Sequence, residues 1–154
     1  MNELLRHTVA TLAYRGGKVV RGVPASFADF RAAETTRTPL QILSHLGDLL
    51  DWAYFLARGE KKWNDAVPQS WDAEVQRFFD GLQRVDRQLA EEPLKCPPER
   101  LFQGPIADAL THIGQIAILR RMAGLPVRGE NYFAADIVAG QVGAEQAIPK
   151  REFD

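Results

Sequence analysis

Three histidines, His7, His45 and His112, and the carboxylates spaced around them are the residues of this 154-residue chain best suited to chemistry. His112 lies in an apolar stretch, in line with Ile116, Leu119 and Ala123, and Asp108 stands four residues ahead of it. On a helix that spacing places the carboxylate and the imidazole one turn apart on one face, where both can reach a single ion. His45 sits beside a second apolar stripe, near Leu49, Trp52 and Leu56, so a facing helix can supply a third donor. Three protein ligands with an open position form the arrangement of a catalytic zinc site. Imidazole and carboxylate equally suit iron, nickel or manganese. The competing reading makes both histidines hydrogen-bonded core residues and Asp108 an acid favoured by the dipole of its helix's first turn.

The other candidates carry less. His7, between Arg6 and Thr8, is expected at the surface. Asp48, close to one turn after His45, is the best-placed general base, but its position on the helical wheel points it to solvent. Cys96 is followed by two prolines in a loop, with no identifiable base to activate it. As the single cysteine it has no partner for an internal disulfide, which is compatible with a reducing cytosol. Gly16-Gly17 follows no strand and makes no phosphate loop. Trp52, Trp63 and Trp71 are read as packing residues.

Composition narrows the class. Hydrophobic residues at 45% and charged residues at 25% describe an ordinary globular chain. A formal net charge of -1 gives no electrostatic reason to expect nucleic acid. The N-terminus lacks a secretory pattern, and no stretch approaches the ~20 apolar residues of a membrane span. A cytoplasmic protein without a membrane partner is expected.

The elements that must position these residues are helical. Pro/Gly-rich stretches at residues 21–24, 59–68, 93–104 and 124–126 separate four segments of helical period. The first covers about residues 2–20, with Leu5, Val9 and Leu12 in phase. The second opens on Thr38-Pro39-Leu40-Gln41, a capping box with proline at the first helical position, and should stop at Arg58 before Gly59. The third, residues 70–91, alternates Trp71, Val75, Phe78, Leu82, Val85 and Leu89 against Asp72, Gln76, Asp80, Arg84 and Arg87. The fourth, from Gly104-Pro105 to just before Gly124, is apolar over most of its circumference and is expected to be buried. No strand pattern competes, so no β-sheet is expected. The reading is one all-α domain over residues 1–154: a four-helix bundle with long crossover connections (core 2–124) and a loop-and-short-helix tail (125–154). An apolar tail patch around Tyr132-Phe133 is expected to cover a partner.

Two of these segments together resemble the DinB-like family. The stretch Asp108-Ala-Leu-Thr-His112-Ile-Gly-Gln115, followed by an apolar turn, Arg120 and Gly124, resembles the last-helix signature His-x-x-x-His-Arg-Gly-Gln of those proteins. The stretch Ile42-Leu-Ser-His45-Leu-Gly-Asp48 resembles their second helix, which bears the first metal-binding histidine. The resemblance spans about residues 4–124. It implies a four-helix bundle with a long crossover, often dimeric, holding a divalent metal on three histidines, with thiol-dependent transferases and isomerases among its members. Here His45 and His112 match two ligands, and Asp108 stands where the family has its other histidine. That exchange gives a two-His-one-carboxylate set, or marks a branch without metal. Two functions remain open: a metal-dependent enzyme acting on a small molecule, in the manner of a thiol-dependent transferase or a hydrolase, and a non-catalytic bundle that binds a small ligand or serves dimerisation.

Overall fold

The computed structural model describes residues 2–154, so Met1 lies outside the described residues. It is mainly helical. The long helices are α1 (Glu3–Val20), α2 (Pro39–Ala57), α3 (Trp71–Glu91) and α5 (Ala107–Met122), with a single-turn α4 (Pro98–Leu101) ahead of the last.

Local chemistry sets their ends. The Thr38 hydroxyl accepts from the Gln41 amide while the Gln41 side chain accepts from the Thr38 amide, so the expected capping box forms. At the far end of α2, Gly59 takes φ +80°, a conformation that side chains with a Cβ resist. Ser70 caps α3 by accepting from the Ala73 amide. The apolar stripe of α3 is buried at Phe78, Leu82, Val85 and Leu89, and its five polar positions at Asp72, Gln76, Asp80, Arg84 and Arg87 are exposed.

Side-chain contacts give the helix directions. Arg6 pairs with Asp86, and Phe78 lies against Gly16, so α1 and α3 run in opposite directions. A Cβ on Gly16 would stand 2.5 Å from the Phe78 ring, so only glycine permits this approach. Arg77 reaches Ser44 and Asp48, Gly81 meets Leu50, and Arg84 pairs with Asp51 and covers Tyr54. Both partners advance together, so α2 and α3 run the same way. Residues 58–70 must therefore travel back along the molecule between them. Helix α5 runs against α2, with His45 beside His112 and Trp52 beside Gly104, and runs with α1, with Gly16 near Ile113 and Val19 near Arg120. Buried Arg120 donates to the Val19 and Arg21 carbonyls and holds the C-terminus of α1.

Three expectations are corrected, and two hold with refinements. The fourth segment begins at the Gly104-Pro105 break as expected, but a separate single turn, Pro98–Leu101, precedes it. Pro98 takes the first-turn position that lacks an amide anyway, and a π-helical turn, Phe102–Ile106, absorbs Pro105 with a break at Gly104 (ψ −105°). The same segment is not buried all round: Ile118 and Met122 are 51% and 57% exposed, because only one face meets α1 and α2. A small antiparallel sheet exists, β1 (Gly129–Glu130) with β2 (Glu152–Phe153), too short to show an alternating pattern in sequence. The short helix of the tail is the 3-10 turn Tyr132–Ala134. Tyr132 is not a free surface patch, since its ring meets Tyr14 edge-on and lies under Arg15; Phe133 beside it is fully exposed. Among the described residues no helix is long and apolar enough to cross a membrane.

Candidate metal centre

His45, Asp108 and His112 come together between α2 and α5. One potential ligand atom from each lies within 4.8 Å of the others. His45 Nε2 is 3.6 Å from Asp108 Oδ2, His112 Nδ1 is 3.3 Å from Asp108 Oδ1, and the two imidazole centroids are 4.6 Å apart. The i, i+4 spacing on α5 places the Asp108–His112 pair, and the stripe of α2 carries His45 towards it.

One hydrogen bond prepares the centre for a cation. His112 Nδ1 lies 2.8 Å from the Asp108 main-chain carbonyl. A carbonyl only accepts, so Nδ1 carries the proton and the lone pair resides on Nε2. Metal-binding histidines are commonly oriented by this kind of bond from the other ring nitrogen. Burial, then His112 and the Arg37 guanidinium, hold His45 below the ordinary imidazole value against the opposing pull of Asp108. Its ring is therefore neutral near pH 7, with a lone pair to give. Two imidazoles and a carboxylate suit zinc, nickel, iron or manganese.

The centre is open on one side. The His112 and His45 side chains are 12% and 22% exposed, whereas that of Asp108 is 45% exposed. Asp108 is half in water and needs no cation to offset burial, so convergence of the donor side chains is what fits an ion. Asp108 also stands in the first turn of α5, just after the break at Gly104, where the helix dipole favours an acid with or without an ion. The π-helical turn sets the register of Asp108 on α5; such turns recur at functional sites.

Two residues that sequence reasoning passed over border the centre. The returning segment places Trp63 edge-on to both His45 and Trp52, at 5.8 Å each, with its indole N–H on Asp65. An aromatic residue inside an otherwise charged and polar run, residues 58–65, was the available signal. Arg37, just before the α2 cap, acts on His45 by its charge, and nothing in its sequence context distinguishes it.

Asp48 is the clearest misreading of side-chain direction. It is 5% exposed instead of facing solvent. Its carboxylate accepts from Arg77 at 3.0 Å and from the Ala66 amide at 3.3 Å. Arg77 also holds Glu74 and the Ser44 carbonyl, so the turn after His45 is pinned to α3 and to the returning segment. Burial pushes the Asp48 carboxyl above its usual range, against the pull of Arg77. His7 is exposed as expected. Cys96 is half-buried, and burial pushes its thiol up, away from the reactive thiolate.

The chain matches no family model, no curated protein and no solved structure.

Proposed function

We propose that this chain is a DinB-like four-helix bundle, with a crossover at residues 58–70, that holds one divalent cation on His45, Asp108 and His112. The observation that carries the reading is the convergence of three donor side chains from two helices, with His112 oriented through its Nδ1–H. The bundle reading is supported by the contacts that link α1 to α3, α3 to α2, α2 to α5 and α5 to α1, and by the parallel course of α2 and α3.

The function favoured is metal-dependent chemistry on a small molecule, of the thiol-dependent transferase or hydrolase kind. The open side at Asp108 supports it, because three protein ligands leave coordination positions for substrate. A divalent cation held there supplies Lewis acidity that lowers the pKa of a thiol or water and polarises a carbonyl. The chain's own part is orientation. His112 is fixed by its own helix, the turn after His45 is fixed through Asp48 and Arg77, and Trp63 keeps water from one face of His45.

One observation favours the alternative, a non-catalytic bundle that binds a small ligand or serves dimerisation: Asp48, the nearest candidate base, is committed to Arg77 and Ala66. Turnover of a low-molecular-weight thiol with an electrophilic acceptor by the metal-loaded chain separates the two. A homodimer in the cytoplasm completes the proposal, with fully exposed Phe133 at the contact. Sedimentation showing only monomer at high concentration removes the dimer.

The metal reading is tested by thermal melting with zinc, nickel, manganese and chelator. At about one hundred times the dissociation constant, a bound ion stabilises the fold by about 2.7 kcal/mol. The expected result is a raised midpoint in wild type that chelator reverses and His112→Ala lacks. If no metal moves the midpoint, or His112→Ala responds like wild type, the reading fails.

A further inference from the structure

A groove of about 380 Å³ opens beside the metal centre, between α2, α5 and residues 32–37. None of the three donors lines it, but two of its lining residues lie one turn from the histidines. Ile42 lies one turn before His45, and Gln115 one turn after His112. Away from the centre the groove is apolar, walled by Ala32, Ala33, Ile118 and Met122. Ile118 and Met122 are the half-exposed side chains of α5, large apolar groups held in water on a helix whose other face is core.

The end nearest the centre is cationic. Arg37 lines it and is exposed. Arg6, Arg58, Arg77, Arg84 and Arg128 each pair with a carboxylate, but among the described residues no carboxylate reaches Arg37. The polar groups beside it in the groove are Thr36 and Gln115, both neutral. The capping box occupies the Thr38 and Gln41 amides and Pro39 has none, so the guanidinium is the charged group there that can hold an anion.

We propose that this groove binds a carboxylate with an unbranched apolar chain, Arg37 holding the carboxylate beside the metal centre and Ile42, Ile118 and Met122 holding the chain. A guanidinium matches a carboxylate with two parallel hydrogen bonds. The apolar wall beyond Arg37 suits an anion that carries an alkyl chain. The volume is that of a small-molecule pocket, not of a protein groove. The inference names the substrate class of the site proposed above, and rests on that reading for any chemistry at the carboxyl end.

The test titrates hexanoate and octanoate calorimetrically into the whole chain, with and without zinc, while equilibrium dialysis measures zinc separately. Saturable binding is expected, about fourfold tighter for each added methylene buried. Arg37→Gln should weaken octanoate at least tenfold yet leave 1-octanol binding unchanged. The double variant Ile118→Ser, Met122→Ser should flatten the dependence on chain length while keeping the fold, since both residues are half-exposed. No saturable binding by wild type, or equal octanoate affinity in Arg37→Gln, overturns the proposal. A chain that binds zinc but not octanoate sinks the groove alone. One that binds octanoate through Arg37 but no zinc upholds the groove and sinks the metal reading.

Discussion

Two polar clusters join distant parts of this molecule, and they are built differently. Where the tail meets α1, the Tyr14 hydroxyl donates to Glu130 at 2.5 Å, and the Lys18 ammonium donates to Glu130 at 3.2 Å and Glu152 at 3.0 Å. Tyr14 is 3% exposed and the Glu130 side chain is fully buried. Every group there has a close partner of opposite character. Between α2 and α5, by contrast, His45, Asp108 and His112 stand 3.3 to 3.6 Å apart, with Asp108 half in water. The first cluster is satisfied within the protein and ties it together. The second gathers three side chains without closing the two carboxylate–imidazole contacts into short pairs, which leaves His45, Asp108 and the other ring nitrogen of His112 open to a guest. Neither leaves a buried polar atom stranded: among the described residues no buried side-chain nitrogen or oxygen lacks a partner.

If the tail cluster is structural, breaking it carries the largest penalty. Glu130→Ala strands a buried phenol and leaves the nearly buried Lys18 ammonium with Glu152 alone, and should cost about 3 kcal/mol or more. For a chain of this size that lowers the melting midpoint by roughly 6–12 °C in a thermal scan. An unchanged midpoint would erase the contrast between the clusters.

Tyr14→Phe removes one hydrogen bond to a charged acceptor and should cost about 2 kcal/mol at neutral pH. It also predicts a pH dependence. Burial first, then the bond to Glu130, push the Tyr14 phenol above its ordinary value. The fold therefore prefers the protonated phenol. Its contribution is complete below the unfolded value near 10 and is lost as the pH rises through the folded value. Wild type should lose stability above about pH 10, and Tyr14→Phe should lose less over the same range. Parallel alkaline curves from chemical denaturation would contradict this.

The smallest effect on stability belongs to the open cluster. Asp108→Asn keeps the shape of a half-exposed side chain and should shift the metal-free stability by no more than about 0.5 kcal/mol. A loss of several kcal/mol without metal would make Asp108 a structural anchor like Glu130, and the centre a second tie.

Much of this was legible in sequence wherever cause and effect lie close together along the chain. The capping box at Thr38 and Gln41, the stop at Gly59 and the stripe of α3 depend on neighbours within a turn or two. The Asp108–His112 pair was legible for the same reason, and His45 followed from the stripe it borders. What escaped depends on partners far away. Nothing near Tyr14 announces Glu130, 116 residues later, and a wheel that ignores neighbours puts Asp48 in solvent although Arg77 and Ala66 enclose it. The exposed side of α5 was hidden because Ile118 and Met122 look like core residues in sequence and line a groove in the fold. Trp63 lies close to the site only because α2 and α3 are parallel, which sends residues 58–70 back over His45.

Direct metal binding decides the central claim. Wild type dialysed against a limiting series of free zinc concentrations, then assayed for bound metal, should saturate at about one ion per chain. His45→Ala, Asp108→Asn and His112→Ala should each bind about a hundredfold more weakly or worse, while Glu3→Gln, at an exposed α1 position, should match wild type. Zinc that fails to bind wild type, or that binds the three site variants as well as it binds wild type, would contradict the account.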